Sequence, residues 1–197
     1  RKDLLTIGRL ENQKNISGII LALKKVKNSF SNIKLNIVGS GSEYKMLKVL
    51  VEKNNLNDNV EFKGYINPAN DLLSSKILIL NSFFEGMPNV LLEGLAYKIP
   101  IISTNCESGP KEILDNGKYG ALVDIDNPQI LADKIIEIMN DYSNAIQKAE
   151  DGYKSLERFD KFKQLKMITA IIINAAYIKP IWFILQFYQK LELRKNK

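Results

Sequence analysis

Short, mostly apolar runs recur along this chain, and a stretch with helical periodicity separates most of them. Leu4-Leu5-Thr6-Ile7 stops at Gly8, Leu35-Asn36-Ile37-Val38 at Gly39, and Val60-Glu61-Phe62 at Gly64. Ile77-Leu78-Ile79-Leu80 contains no polar residue, as a strand buried on both faces of its sheet requires. Ile99–Ser103 and Ala121-Leu122-Val123 complete the series. Between the runs, Ile16, Ile19, Ile20, Leu23, Val26 and Phe30 share one helical stripe, and Met46, Leu47, Leu50 and Val51 mark another. Pro88 opens a third, with Leu91, Leu92, Leu95 and Ala96 on its apolar side. A short helix is expected near Pro110–Leu114 and a longer one through Ile130, Leu131, Ile135, Ile138 and Met139. This alternation reads as an α/β fold, a doubly wound parallel sheet covered by helices on both faces. Ligands of such sheets sit beyond the carboxyl ends of the strands.

Charge divides the chain. Residues 1–152 carry 18 Lys and Arg against 19 Asp and Glu, whereas residues 153–197 carry 10 against 3. A nucleic-acid-binding domain would present its basic face on the folded body itself. The division points instead to a nearly neutral domain over 1–152 and a basic, apolar helical tail over 153–197, with no nucleic acid as partner. The single cysteine, Cys106, excludes an internal disulfide and fits a reducing compartment. The chain also has no histidine. A His general base, a Ser-His-Asp or Cys-His system and a His-ligated metal are therefore excluded for this chain alone. Chemistry here falls to carboxylates, Lys, Arg and backbone dipoles. The chain opens Arg1-Lys2-Asp3, without Met or a signal peptide, and reads as a piece of something longer.

Three segments carry residues suited to a ligand. Gly8-Arg9-Leu10-Glu11-Asn12-Gln13-Lys14-Asn15 follows the first strand, and its two cations can converge on a polyanion, Arg as a fork and Lys as a point charge. They can equally be solvated surface charges. Gly39-Ser40-Gly41 follows the second strand, but position 44 is Tyr, so the dinucleotide fingerprint Gly-x-Gly-x-x-Gly fails and turn chemistry is the simpler reading. The densest segment is Ser82 to Ala96, which turns through Gly86 and Pro88 into a helix. That geometry aims backbone N–H groups and a positive helix end at the crevice. Glu85 sits in the loop, and Glu93 lies on the helix away from the Leu91/Leu95 stripe. Paired carboxylates at such a mouth suit sugar hydroxyls; a helix-capping Glu85 and a surface Glu93 are the plainer alternative.

Glu85 and Glu93 together resemble the Glu-x7-Glu signature of family-4 (group 1) retaining glycosyltransferases, in the C-terminal, Rossmann-like donor-binding half of their GT-B fold. Gly8-Arg9-Leu10 with Lys14-Asn15, Ile37 to Gly41, Phe62-Lys63-Gly64 and Ser108-Gly109-Pro110-Lys111-Glu112-Ile113 resemble the family's other landmarks in order, over roughly residues 3–145. The stretch from Glu85 to Glu93 looks most like enzymes building lipid-linked oligosaccharides, capsule or other surface glycans. The resemblance implies transfer of a sugar from a nucleotide sugar, with UDP the preferred carrier, to a glycan or lipid-linked acceptor with retention. It implies Arg9 and Lys14 on the donor diphosphate and Glu85 facing the transferred sugar. Glu93 would take the ribose hydroxyls, the turn Gly64-Tyr65-Ile66 would meet the nucleobase largely through backbone atoms, and Gly8 would also belong to the donor site. Amides of Gly86, Met87, Pro88 and Asn89 are implied at the sugar and those around Val90 and Leu91 at the phosphate, Pro88 contributing to the turn because proline has no N–H. No metal and no cofactor are implied. The family's enzymes also have an N-terminal Rossmann-like domain with the acceptor site and usually a catalytic His, and nothing in this sequence matches it. A sugar-nucleotide epimerase of the same fold and a non-catalytic, membrane-associated nucleotide-sugar-binding module are the alternatives.

The tail lies outside the resemblance. From Met167 to Tyr188 its only charge is Lys179. Its ten Ile, Leu and Phe residues favour insertion by about 3–6 kcal/mol, and Lys179 opposes it by about 2.5–3.5 kcal/mol. A membrane span is therefore near break-even. Packing on a further domain is one alternative. A helix lying in the membrane interface is another, with Trp182, Phe183, Phe187 and Tyr188 inserted and Lys190, Arg194, Lys195 and Lys197 toward anionic lipid. The last fits a peripheral protein on the cytoplasmic face of the plasma membrane.

Overall fold

Leu35–Val38 is buried at every position and hydrogen-bonded on both edges, the consequence of placing an almost wholly apolar run inside a sheet with covered faces. The computed structural model describes residues 3–106 and 108–160. Its strands are β1 (Asp3–Ile7), β2 (Leu35–Val38), β3 (Val60–Gly64), β4 (Ser75–Leu80), β5 (Ile101–Thr104) and β6 (Ala121–Val123). They form one sheet of order β3-β2-β1-β4-β5-β6, parallel throughout. The helices are α1 (Ile16–Ser29), α2 (Tyr44–Lys53), α3 (Ala69–Ser74), α4 (Asn89–Ala96), α5 (Pro110–Ile113), α6 (Pro128–Asn140) and α7 (Tyr142–Ser155). Successive crossovers run outward from β1 to β3, return across β1, and continue from β4 to β6. The switch point lies between β1 and β4, where the loops diverge and leave a crevice.

The pleat divides the core. Leu4, Leu35, Ile37, Ile77, Ile79 and Ile102 form one apolar cluster with Ile19, Leu23 and Val26 of α1 and with Leu131 and Ile135 of α6. The alternate residue Leu78 faces α4, whose Gly94 sits so close that an added Cβ would lie 2.5 Å from the Leu78 side chain. Leu91 and Leu95 are fully buried on that helix and Glu93 is exposed, while Leu92 is partly buried and Ala96, expected on the apolar side, is exposed. Asn15 caps α1 by accepting from the Gly18 N–H at 3.2 Å, and Asn127 caps α6 by accepting from Ile130 at 3.1 Å. Lys25 of α1 and Asp133 of α6 meet at 2.6 Å.

Elements that the reading of the sequence does not anticipate include a 3₁₀ turn at Asn12–Lys14, α3 and α7. The first two are too short to show a helical period. α7 buries Ala149 and Gly152 and packs Tyr142 and Ala145 against the core, a stripe of mostly small residues that gives only a weak apolar signal in the sequence. β5 begins at Ile101 rather than at Ile99, because Pro100 has no N–H to give to the ladder; its carbonyl still accepts from Leu78 at 2.9 Å. α7 runs across the division expected at 152/153, and the chain separates into compact units at Leu156/Glu157. Of the second unit only residues 157–160 are described, the end of the 3₁₀ turn Leu156–Phe159 and Asp160 after it. The readings made for Met167–Tyr188 therefore lie outside the described residues. Among the described residues no helix is long and apolar enough to cross a membrane.

Candidate functional site

A cleft of about 700 Å³ opens beyond the carboxyl ends of β1, β2 and β3. Ile7, Gly8 and Arg9 line it from β1, Val38 to Ser40 from β2, Tyr65 to Pro68 from β3, and Glu93 reaches it from α4. Five residues singled out in the sequence, Gly8, Arg9, Tyr65, Ile66 and Glu93, thus share one wall system. Asn67, Pro68 and the Gly39-Ser40 backbone join them without having been assigned a ligand. Gly64 closes β3 just behind this wall, its carbonyl accepting from the Gly39 N–H at 2.8 Å. A smaller cavity, about 270 Å³, opens at the opposite end of β5 and β6, and none of the sequence-derived site residues lines it.

The Gly-x-Gly after β2 has a packing role. Gly8 donates to the Val38 carbonyl at 3.0 Å and Leu10 to the Ser40 carbonyl at 2.9 Å, lacing the first two loops backbone to backbone. Gly39 has φ +140°, and a Cβ there would lie 1.8 Å from the Gly8 carbonyl oxygen. No side chain fits between these loops.

A second cluster is built from the loops after β1 and β4. Lys14 Nζ and Glu85 Oε1 are 2.5 Å apart, with 16 % and 8 % of their side chains exposed. Ser82 Oγ donates to the same Glu85 oxygen at 2.6 Å, and Ser108 Oγ to the Glu85 carbonyl at 2.9 Å. Gln13 Nε2 donates to the Phe84 carbonyl at 2.9 Å and its own carbonyl accepts from the Phe83 N–H, also at 2.9 Å. Thr104 Oγ1, at the end of β5, donates to the Ser82 carbonyl at 2.7 Å. The loop bearing Glu85 is therefore held by β5, by Ser108 and by the turn carrying Lys14. Sequence reasoning placed Lys14 and Glu85 here but missed Gln13, Ser82, Thr104 and Ser108. Three of these stand within the segments it singled out, but the partners of Gln13 and Ser108 lie far along the chain, and Ser82 acts on Glu85 within its own loop.

Arg9 is not drawn onto Lys14. Its guanidinium pairs with Glu11 at 3.0 Å and is 67 % exposed. Pro88 precedes α4 and supplies no side-chain cap, which leaves the first-turn N–H groups outside the helical ladder without one. Of the two amides expected at a phosphate, Leu91 N–H already meets the Pro88 carbonyl at 3.0 Å. Gly86, Met87 and Asn89 are exposed, whereas Pro88 is buried. None of Lys14, Glu85 or Gly86 to Leu91 lines the cleft; the loop Gly8 to Asn15 and helix α4 join the two clusters.

A parallel sheet of this order, with a crevice at its carboxyl edge, defines a Rossmann-like α/β domain. The chain belongs to the glycosyl transferases group 1, whose family model matches residues 1–155, and it corresponds to the C-terminal domain of their GT-B fold. It is 30 % identical over 168 residues to a Campylobacter jejuni N-acetylgalactosaminyltransferase whose named acceptor is an N-acetylgalactosamine-N,N'-diacetylbacillosaminyl-diphospho-undecaprenol; the match covers 82 % of this chain and 44 % of that protein. The structure of a TarM variant from S. aureus, with fondaparinux, alpha-GlcNAc-glycerol and UDP, superposes with a TM-score of 0.78 at 25 % identity, over 84 % of this chain and 34 % of that one. The C-terminal domain of a group 1 protein from Francisella tularensis shares the fold, with a TM-score of 0.71 at 23 % identity over 80 % of this chain and 85 % of that one. The chain spans less than half the length of the curated relatives it matches.

Proposed function

We propose that the chain is the donor-binding half of a retaining glycosyltransferase that moves a sugar from a UDP-sugar to a glycan or lipid-linked acceptor. The observation that carries this reading is the Lys14–Glu85 pair, fixed beside a cleft that Arg9 and Glu93 border. The nucleoside occupies the cleft against the Tyr65–Pro68 wall, with the Glu93 carboxylate accepting from the ribose hydroxyls. The diphosphate extends toward Lys14, Arg9 and the start of α4, and the transferred sugar meets Glu85.

Each group has a physical reason to act there. As the sugar–oxygen bond lengthens, the departing UDP gathers negative charge, and cations with a helix N-terminus stabilise it. Removing one such preorganised donor costs about 2.7–4 kcal/mol. Arg9 gives up little to join them, since its exposed pair with Glu11 is worth about 0–1 kcal/mol. No metal enters the reading. The acceptor class rests on the similarity to a transferase with an undecaprenol-linked acceptor. A lipid-linked acceptor in turn suits a protein peripheral on the cytoplasmic face of the membrane, which the basic segment 153–197 would approach.

Calorimetric titration with UDP, GDP and ADP, without metal, tests the reading beside the variant Arg9→Ala/Glu93→Ala. Preferential binding of UDP, lost in the variant, is expected. No binding at millimolar nucleotide, or binding that survives the double substitution, would overturn it.

A further inference from the structure

β3 carries a fault in its pairing that the sequence does not announce. Ile37 of β2 stands opposite Phe62, but the next residue, Val38, stands opposite Gly64. Lys63 is the extra residue, and a bulge of this kind bends its strand and re-aims a side chain. The Lys63 ammonium meets Asp71 Oδ1 of α3 at 2.8 Å, with Glu61 Oε2 further off at 3.8 Å. Asp71 has only 7 % of its side chain exposed and Lys63 24 %.

The pair brackets the cleft wall. Between Lys63 and Asp71 the chain passes through Gly64 and then through Tyr65, Ile66, Asn67 and Pro68, all four of which line the cleft. The Gly64 carbonyl is tied to the Gly39 N–H at 2.8 Å, and beyond it the hydrogen bonds are local: Asn67 Oδ1 accepts from Ala69 N–H at 3.0 Å, and the Pro68 carbonyl from Leu72 N–H at 2.8 Å. Tyr65 is 89 % exposed and Ile66 44 %, so their own packing does little to fix the wall. The Lys63–Asp71 bond closes the excursion from strand to helix at its base. An ion pair this buried is weak evidence for net stability, but it is directional and fixes register.

We propose that Lys63 and Asp71 are positioning residues that hold the Tyr65–Pro68 wall and thereby set which nucleobase the cleft accepts. The proposal rests on the donor-site reading above and adds the determinant of base choice. The pair stands at the base of the wall, in β3 and α3, so it governs discrimination among bases and leaves the recognition of phosphate to Arg9, Lys14 and α4.

The test is an NMR titration of the whole chain with UDP, ADP and inorganic pyrophosphate, for the unmodified chain and three variants. Asp71→Asn keeps shape and removes one charge. Lys63→Met/Asp71→Leu removes both charges and fills the space, a replacement that commonly preserves folding. Lys63→Arg keeps a cation within reach. In the two neutralised variants the UDP-to-ADP affinity ratio is expected to fall by about tenfold, equivalent to 1.4 kcal/mol, while pyrophosphate affinity stays constant and Lys63→Arg retains the ratio. Should Asp71→Asn not fold, the apolar pair decides alone. An unchanged ratio, or equal losses for UDP and pyrophosphate, overturns the proposal and leaves the donor site standing. If the unmodified chain binds neither nucleotide, the donor-site reading falls and takes this proposal with it.

Discussion

Replacing Lys14 by Met removes the cation from a carboxylate that folding has largely taken out of water. Breaking a buried ion pair from one side costs about 3–5 kcal/mol. Two features lower that figure here. Lys14 keeps 16 % of its side chain exposed, so water can reach the gap, and Ser82 Oγ still donates to Glu85 Oε1 at 2.6 Å. What remains is the cost of an under-satisfied buried polar group, about 1–3 kcal/mol. A loss of 2 kcal/mol in a domain of this size lowers the melting midpoint by roughly 4–8 °C. Glu85→Gln strands the ammonium instead and should also destabilise. The double variant Lys14→Met/Glu85→Gln should recover part of the sum, with a coupling energy of about 1 kcal/mol, well above the 0.3–0.5 kcal/mol scatter of independent sites. Thermal and urea unfolding followed by circular dichroism, on all four proteins at pH 7, measures the cycle. Single variants melting within about 1 °C of the parent, or strict additivity, would refute the premise that the two side chains are bonded in the folded chain.

Three further outcomes follow from the geometry. Gly39→Ala should destabilise by about 1–3 kcal/mol in urea unfolding, because its Cβ would meet the Gly8 carbonyl, a backbone atom, at 1.8 Å and the backbone there holds φ +140°. An unperturbed urea midpoint would show that the two loops can part freely. Glu93→Ala alone should leave stability within about 0.5 kcal/mol, since the side chain is exposed, yet weaken UDP binding in calorimetry by about 10-fold or more through the lost charged hydrogen bonds. The Lys25 hydrogen bond, followed by that from Gln129, holds the Asp133 carboxyl below its ordinary value of 3.8. A lowered folded value means the contribution is present above 3.8 and lost as pH falls through the depressed value. The melting difference between the parent chain and Asp133→Asn should therefore shrink between pH 5 and pH 2; a difference independent of pH would contradict it.

Much of the scaffold is legible because secondary structure has a local signature. β4 follows from four consecutive apolar residues, Ile77 to Leu80, and α1 from a stripe recurring every three or four positions. The candidate site is legible in part for a related reason: Gly8-Arg9 follows β1, Gly64 ends β3 with Tyr65-Ile66 just beyond, and the Glu85–Glu93 segment lies in the loop and helix after β4, where the topology of a parallel sheet gathers loops. The Gly39-Ser40-Gly41 turn shows the limit. The sequence marks it as turn chemistry, and only the fold shows that Gly39 is needed because the Gly8 carbonyl occupies the place of its Cβ.

The chain by itself determines which residues form strands and helices, and which side chains are available for chemistry at the carboxyl edge. It also determines the absence of histidine from its own 197 residues. Tertiary structure alone decides who meets whom. Lys14 and Glu85, 71 positions apart, become partners because β4 lies beside β1. Arg9, which the sequence places with Lys14, turns to Glu11, since an exposed guanidinium takes the nearest carboxylate. Lys63 reaches Asp71 because one extra residue in β3 re-aims its side chain. Periodicity is written in neighbouring residues, whereas a contact between distant ones exists only once strand order and register have been set.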